Sequence, residues 1–491
     1  MGVVQPNQRI IFGLKVKHLR QAQGLSFSDL SETSGISVSY LNEIEKGKKY
    51  PKSDRINSLA TALHTTSEQL ISSELSDGLA PVGELLESNF LNELPLDLFG
   101  IDKVKVVEII ANAPKRVGAF ISTLVDMARN YHLGEENFYF GALRSYLEMH
   151  QNYFEELEKA VDNCTTKYKL NTQSRISLED LQLILETGYQ YKIQMNGLDE
   201  YPELDNLRSV YLPSKGTLLL NGNLTDVQRA FQLGKELGFQ YLKLKDRANT
   251  SSLLRASSFD EVLNHFKAGY FSAALLIPRQ RLVSELGAFF QKDTWQPEIL
   301  LQMLSTYGAS PEMLFQRMTN LLPEAFGLKK LFLIRVIHDH SKGSFRIDKE
   351  LHFAGRHNPH GNGLYEHYCR RWLSISAIQR LEKNVSGEML AAAQRSTYHG
   401  TADSFLVFTI ARPAYQGNRS HVSITIGLEI NDELKKQVRF WADPNIPDME
   451  VNNTCERCPM TNCADRITEP HIVHARNKRR DIQKRLQNLE E

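Results

Sequence analysis

LSFSDLSETSGISVSYLNEIEKGKKYP, residues Leu25 to Pro51, decides how the chain begins. Ser26 is placed to cap a helix, with Asp29 three residues on near the dipole-positive end. Leu30 turns toward a core, Gly35 supplies a tight turn, and Ile36 is a buried staple between two helices. Ser37 caps the next helix, Val38 to Glu45, whose Leu41 and Ile44 point inward. Gly47 ends that helix, and Lys46, Lys48, Lys49 and Lys52 cluster beyond it. Two short helices across a glycine turn with a basic edge make a helix-turn-helix. In that motif the second helix enters the major groove and flanking lysines meet phosphates. By position, Val38, Ser39, Asn42 and Glu43 face bases, while Tyr40, Lys46, Lys48 and Lys49 face the DNA backbone.

The phrase SYLNEIEKGKKYP resembles the Cro/cI-type (XRE) family, and the likeness covers roughly Gln8 to Ser73, which reads as five short helices. Where that family usually has Gln at the start of its second helix, this chain has Phe27. The resemblance therefore implies DNA binding but puts one phosphate contact in question.

The rest of the chain frames this reader. It has 491 residues, room for about three domains at ~150 residues each. Lysines plus arginines equal acids, 58 against 58, so any DNA-binding surface must be local. MGVVQPNQRI lacks the apolar core of a secretory signal, and no apolar run approaches the ~20 residues of a transmembrane helix. Five cysteines are too few and too odd for a disulfide framework. These features predict a cytoplasmic protein with no membrane partner.

Ser76 to Asn163 reads as helical, most clearly from Glu136 to Ala160, and Asn163 to Ser177 reads as a polar linker. A helix at Leu178–Thr187 precedes strands at Ser209–Leu212 and Thr217–Asn221, then more helices to Ala325. After Gly327 the texture changes: Leu331–His338, Phe405–Ala411 and His421–Ile430 are β-branched and aromatic runs typical of strands. The tail Ala475–Glu491 reads as a charged, exposed helix.

DVQRAFQLGKELGFQYL, Asp226 to Leu242, resembles the signature helix of ImmA/IrrE-type metallopeptidases. There a His-Glu-x-x-His phrase holds zinc with two imidazoles and uses the Glu as general base. Here Lys235 and Phe239 stand at the two ligand positions and only Glu236 remains. Phe271–Pro278 and Leu300–Leu322 extend the likeness, and the family's third, acidic ligand falls near His265 or Lys267. The resemblance thus implies the fold of a peptidase and argues against its activity. A positive cleft at Lys235 would suit an anion such as a CoA phosphate.

VNNTCERCPMTNCADRITEP, Val451 to Pro470, places Cys455, Cys458 and Cys463 in a C-x2-C-x4-C run. Three thiols this close can share a soft metal, zinc or an iron–sulfur cluster, or hold none. Cys369 is the best fourth ligand, with His471 and His474 behind it. The helix-turn-helix, degenerate peptidase helix and terminal cysteines, in that order, resemble the short-chain fatty acyl transcriptional regulators. Where that family carries an acidic residue just after the CxxC, this chain has Pro459 and Met460.

The reading is a multidomain chain. Its α-rich N-terminal half holds a helix-turn-helix domain (1–75) and a helical connector that would serve dimerisation (76–165). An α+β pseudo-metallopeptidase domain (166–326) and an α+β sensor domain (327–491) follow. The resemblance implies a non-enzymatic, homodimeric regulator of double-stranded DNA with an acyl-CoA effector. The rival reading is a metal or redox sensor working through the terminal cysteines.

Overall fold

A computed structural model describes residues 6–72, 135–251, 256–340, 343–353, 366–383, 388–413 and 420–490. The chain divides into two compact units: Met1–Tyr146 with Arg255–Val262, and Leu147–Leu254 with Leu263–Glu491. The boundary read near Gly327 falls inside the second unit. Most of the connector expected over 76–165 lies outside the described residues.

In the first unit the five expected helices are present: α1 (Pro6–Ala22), α2 (Phe27–Ser34), α3 (Val38–Glu45), α4 (Ser53–Ala62) and α5 (Ser67–Ile71). Phe12, Val16, Leu30, Leu41, Ile44 and Leu59 close one buried core between them. α1 lies against α3 closely enough that a Cβ on Gly13 would sit 2.2 Å from the Ile44 carbonyl oxygen. Glycine at position 13 is what permits that approach.

The single helix read over Glu136–Ala160 is two helices, α6 (Glu135–Met149) and α7 (Glu155–Tyr168). Gln151 and Asn152 take positive φ values of 51° and 55° between them. The Asn152 amide donates to Thr319 Oγ1 at 2.9 Å and its carbonyl accepts from Asn320 at 2.8 Å, which holds the break. α7 also runs into the stretch read as a linker, so only residues 169–177 connect it to α8 (Leu178–Tyr189).

The second unit contains two sheets. The smaller joins β1 (Lys192–Gln194), β2 (Ser209–Leu212) and β3 (Thr217–Leu220) in the order β1-β3-β2. β1 pairs with β3 in parallel and β2 pairs with β3 antiparallel. α9 (Asp226–Tyr241) packs on α8, and α10 (Phe259–Leu276), α11 (Arg279–Phe290), α12 (Pro297–Tyr307) and α13 (Pro311–Phe326) follow.

The larger sheet has six strands: β4 (Leu331–Asp339), β5 (Ser344–His352), β6 (Leu390–Tyr398), β7 (Ser404–Arg412), β8 (His421–Glu429) and β9 (Asp448–Val451). Their order is β5-β4-β8-β7-β6-β9, with all pairs antiparallel except β6 with β9. α14 (Leu373–Lys383) lies across β6, β7 and β8, and its buried residues join Phe332, Ile334, Phe405 and Val407 in one core. α15 (Asp432–Gln437) and α16 (His471–Glu490) complete the chain. The fold is a helical N-terminal region followed by α+β parts with mixed sheets. Among the described residues no helix is long and apolar enough to cross a membrane.

Candidate nucleic-acid interface, peptidase-like core and cysteine cavity

α2 opens with a full capping box: Ser26 Oγ accepts from the Asp29 amide at 3.2 Å, and Asp29 accepts from the Ser26 amide at 2.8 Å. Gly35 takes the left-handed conformation at φ 69° and turns the chain into α3, capped in turn by Ser37. With Leu41 and Ile44 buried, Val38 and Ser39 are exposed, and Asn42 and Glu43 are half-exposed. Lys48 and Lys49 are exposed beyond the helix end and Lys46 is half-buried. Tyr40 is half-buried, with the Arg55 guanidinium 4.7 Å above its ring.

Phe27 has a role that the sequence comparison did not foresee. Its ring lies 4.2 Å below the Arg20 guanidinium. Arg20 forms a bidentate, buried pair with Glu45 at 2.6 and 2.9 Å and donates to the Leu25 carbonyl. The ring that replaces the family's Gln thus braces α1 against the end of α3.

The peptidase-like helix α9 presents Lys235, Glu236 and Phe239 to a packed interior, all nearly inaccessible. Lys235 Nζ lies 2.5 Å from His265 Nε2 and donates to the Ser251 carbonyl at 3.0 Å. Of the two candidates for the lost third ligand, the fold brings His265 to Lys235. Glu236 is held in a bidentate pair with Arg247 at 2.7 Å on both oxygens, and the Tyr191 hydroxyl donates to it at 3.0 Å. The Arg247 guanidinium sits 3.8 Å from the centre of the Phe239 ring. A carboxylate clamped this way already accepts three hydrogen bonds from protein groups. An ammonium and a phenyl ring supply no ligand to a cation. Lys235, expected to line a positive cleft, is instead buried among these contacts.

Burial disfavours the charged form of two of these groups. It lowers the Lys235 ammonium to about 7, and together with the adjacent Lys235 charge it lowers the His265 imidazole to about 3. Below its usual 6.5 the unfolded His265 binds a proton that the folded side chain refuses until near pH 3. Stability is therefore lost as pH falls through that window. The Lys235 contribution has the same sign and falls away from pH 10.5 down to about 7. Urea midpoints of the second unit should drop between pH 6.5 and 4, and His265→Gln should flatten that slope. An unchanged slope in the variant would assign it to other groups.

The terminal cysteines border one cavity. Cys369, Cys455, Cys458 and Cys463 line a single cavity together with Thr454 and Arg466. His471 and His474 are exposed in the first turn of α16. Backbone bonds fix the loops that bring the thiols together: the Cys369 amide donates to the Asn453 carbonyl and the Cys455 amide to the His367 carbonyl. Trp372 Nε1 donates to the Asn452 carbonyl at 2.8 Å. Arg466 gathers the carbonyls of Cys455, Cys458 and Met460 at 2.6–3.0 Å. Sequence reading found the four cysteines but missed Arg466, Arg247 and Tyr191, which themselves lie on irregular segments. Burial pushes the Cys369 thiol up, and the neighbouring Cys455 and Cys458 push it the same way. Four cysteines on one cavity are of the residue type a soft metal prefers, but their sulfurs do not all stand within 4.8 Å of one another, so an ion here would have to draw them together.

Comparison with known proteins places two regions. A family model described as a helix-turn-helix domain matches residues 11–71, and one described as an IrrE N-terminal-like domain matches residues 199–319. The HTH-type transcriptional regulator RamB of Mycobacterium tuberculosis is 22% identical over 329 residues, 63% of this chain and 65% of that protein. The chain thus spans just under two thirds of that relative's length. Transcriptional regulator ClgR of the same organism is 34% identical over 55 residues, 11% of this chain and 49% of its own. A solved structure described as a Mycobacterium tuberculosis transcriptional regulator covers 67% of this chain and 93% of its own, at 17% identity and a TM-score of 0.47.

Proposed function

We propose that this protein is a sequence-specific, DNA-binding transcriptional regulator without peptidase activity. The observation that carries the reading is α3: Ser39 and Asn42 stand on its accessible face, opposite the buried Leu41 and Ile44, with lysines at its end. Selection of binding sites from random duplex DNA tests it. The intact protein should enrich one motif, and Asn42→Ala should change the preferred bases by ~1–3 kcal/mol at one position. Enrichment of no motif would overturn the reading.

The partner is double-stranded DNA, bound by a homodimer, since such readers use paired half-sites. Ile482, Leu486 and Leu489 form an exposed apolar stripe on α16 at helical spacing, which suits a second copy. The second unit responds to a metabolite. A cavity of about 20 Å³ beneath α14 is lined by Phe332, Trp372, Tyr398 and Ser374. At that size it holds about one water, so a short acyl group, as on an acyl-CoA, would enter only if α14 moved. Thermal shift with short acyl-CoAs reads this directly.

Cys369, Cys455, Cys458 and Cys463 would hold zinc or an iron–sulfur cluster, which would supply cross-linking of the loops when bound. Cys458→Ser should lower the stability of the second unit and blunt regulation, with DNA binding itself retained. Anaerobically purified protein would be brown with a cluster and colourless with zinc. Protein purified with and without air and carrying neither metal would remove this site and, with it, the metal-sensing alternative.

A further inference from the structure

A second group of metal-binding side chains lies at the opposite end of α14, in residues that the DNA-reading and cysteine arguments do not use. His338 and His340 come from the end of β4, Glu382 from the last turn of α14, and His421 from the first position of β8. β4 and β8 pair so that His338 and His421 are direct cross-strand neighbours. One ligand atom from each of His338, His340 and Glu382 lies within 4.8 Å of the others. Glu382 Oε1 is 2.6 Å from His338 Nδ1, 3.6 Å from His340 Nε2 and 3.7 Å from His421 Nδ1. His340 Nε2 and His421 Nδ1 are 2.6 Å apart.

We propose that His338, His340 and Glu382, with His421 beside them, form a binding site for a divalent transition ion of the zinc class. Ligand atoms on a tetrahedral ion with ~2.0–2.1 Å bonds stand about 3.3 Å apart, and the 2.6 and 3.6 Å separations of Glu382 Oε1 from His338 and His340 bracket that spacing. Imidazoles with one carboxylate are the donor set that borderline ions prefer over magnesium or calcium. The setting favours a cation as well, because the site adjoins the C-terminal end of α14, where the helix dipole is negative. His338 is held in orientation by Phe345, stacked on it at 4.3 Å. His340 and Glu382 remain exposed, so an ion has access from solvent. The bound ion would pin the last turn of α14 to the paired ends of β4 and β8.

Titration of the intact protein tests this, with zinc chloride followed by calorimetry and cobalt(II) followed by visible absorption. One equivalent should bind with a cobalt spectrum free of sulfur-to-metal charge transfer. His340→Ala and Glu382→Gln should each weaken it by more than the ~10–100-fold that loss of an outer-shell partner costs. Cys458→Ser should leave this equivalent in place, which separates it from the cysteine cavity. Glu382→Gln is nearly isosteric and exposed, so its metal-free circular dichroism and melting should match the parent and keep binding distinct from folding. Equal zinc affinity and stoichiometry in the parent and both variants would overturn the proposal, as would cobalt spectra showing thiolate ligation alone.

Discussion

Glu158→Ala should destabilise the second unit by about 3–5 kcal/mol, a large part of the ~5–15 kcal/mol by which domains are stable. The Arg317 guanidinium is fully buried and meets both Glu158 oxygens, at 2.5 and 2.8 Å. The Tyr270 hydroxyl donates to Glu158 at 2.6 Å, and Arg317 Nε donates to the Ile277 carbonyl at 3.1 Å. Burial alone would raise the Glu158 carboxyl, yet Arg317 and Tyr270 together hold it below its usual range. Removing the carboxylate leaves a positive charge in the interior with one carbonyl for company, and that orphaned charge is the source of the loss. Glu158→Gln, which keeps an acceptor, should lose less. The double variant Glu158→Leu, Arg317→Met should recover most of the stability, because it buries no charge at all. Urea midpoints decide the matter. A Glu158→Ala loss under 1 kcal/mol would mean that water reaches Arg317.

Alanine at Lys46, Lys48 and Lys49 together should weaken DNA binding on the order of 100-fold or more at 0.1 M salt. Each phosphate contact releases condensed counterions, so the slope of log affinity against log salt should flatten by about 0.9 per lysine, or roughly 2.7 for three. The loss should be nearly uniform across sequences, because phosphates carry no base identity. Ser39 and Asn42 should behave in the opposite way, altering preference with little change of slope. A triple variant with the parent's salt slope would show that these lysines face away from the duplex. Anisotropy titrations at several salt concentrations measure both quantities.

The helix-turn-helix was legible because its signals are local. Ser26 with Asp29, Gly35 and Ser37 announce caps and a turn within a dozen residues, and the fold uses each of them. β4, β7 and β8 were legible for a related reason: buried on both faces over much of their length, they read as continuous β-branched and aromatic runs. β5, the edge strand SFRIDKELH, was not, since half of its side chains remain polar and solvated. β9 is four residues long and pairs in parallel with a strand some fifty positions earlier. The break before α7 escaped notice because its partners, Thr319 and Asn320, lie more than 160 residues away. At the peptidase-like helix the missing ligands could be read directly at Lys235 and Phe239. Their replacement chemistry could not, because Arg247 and His265 reach it from separate segments. The His338–Glu382–His421 group shows the same limit, with residues from three elements that no spacing rule connects.

α14 links three features of the second unit. Trp372, just before its first residue, is tied to the loop beside the cysteines, Ser374 in its first turn faces the small apolar cavity, and Glu382 in its last turn meets the three histidines. Eleven residues at 1.5 Å each make a rod of about 16 Å, so a shift of about 1 Å at either end is a rotation of only about 4°. The sheet beneath gives that rotation a fulcrum. Were an ion or metabolite to seat at one end, the angle at which the other end meets its neighbours would follow, because both ends would depend on a single coordinate, the tilt of one helix.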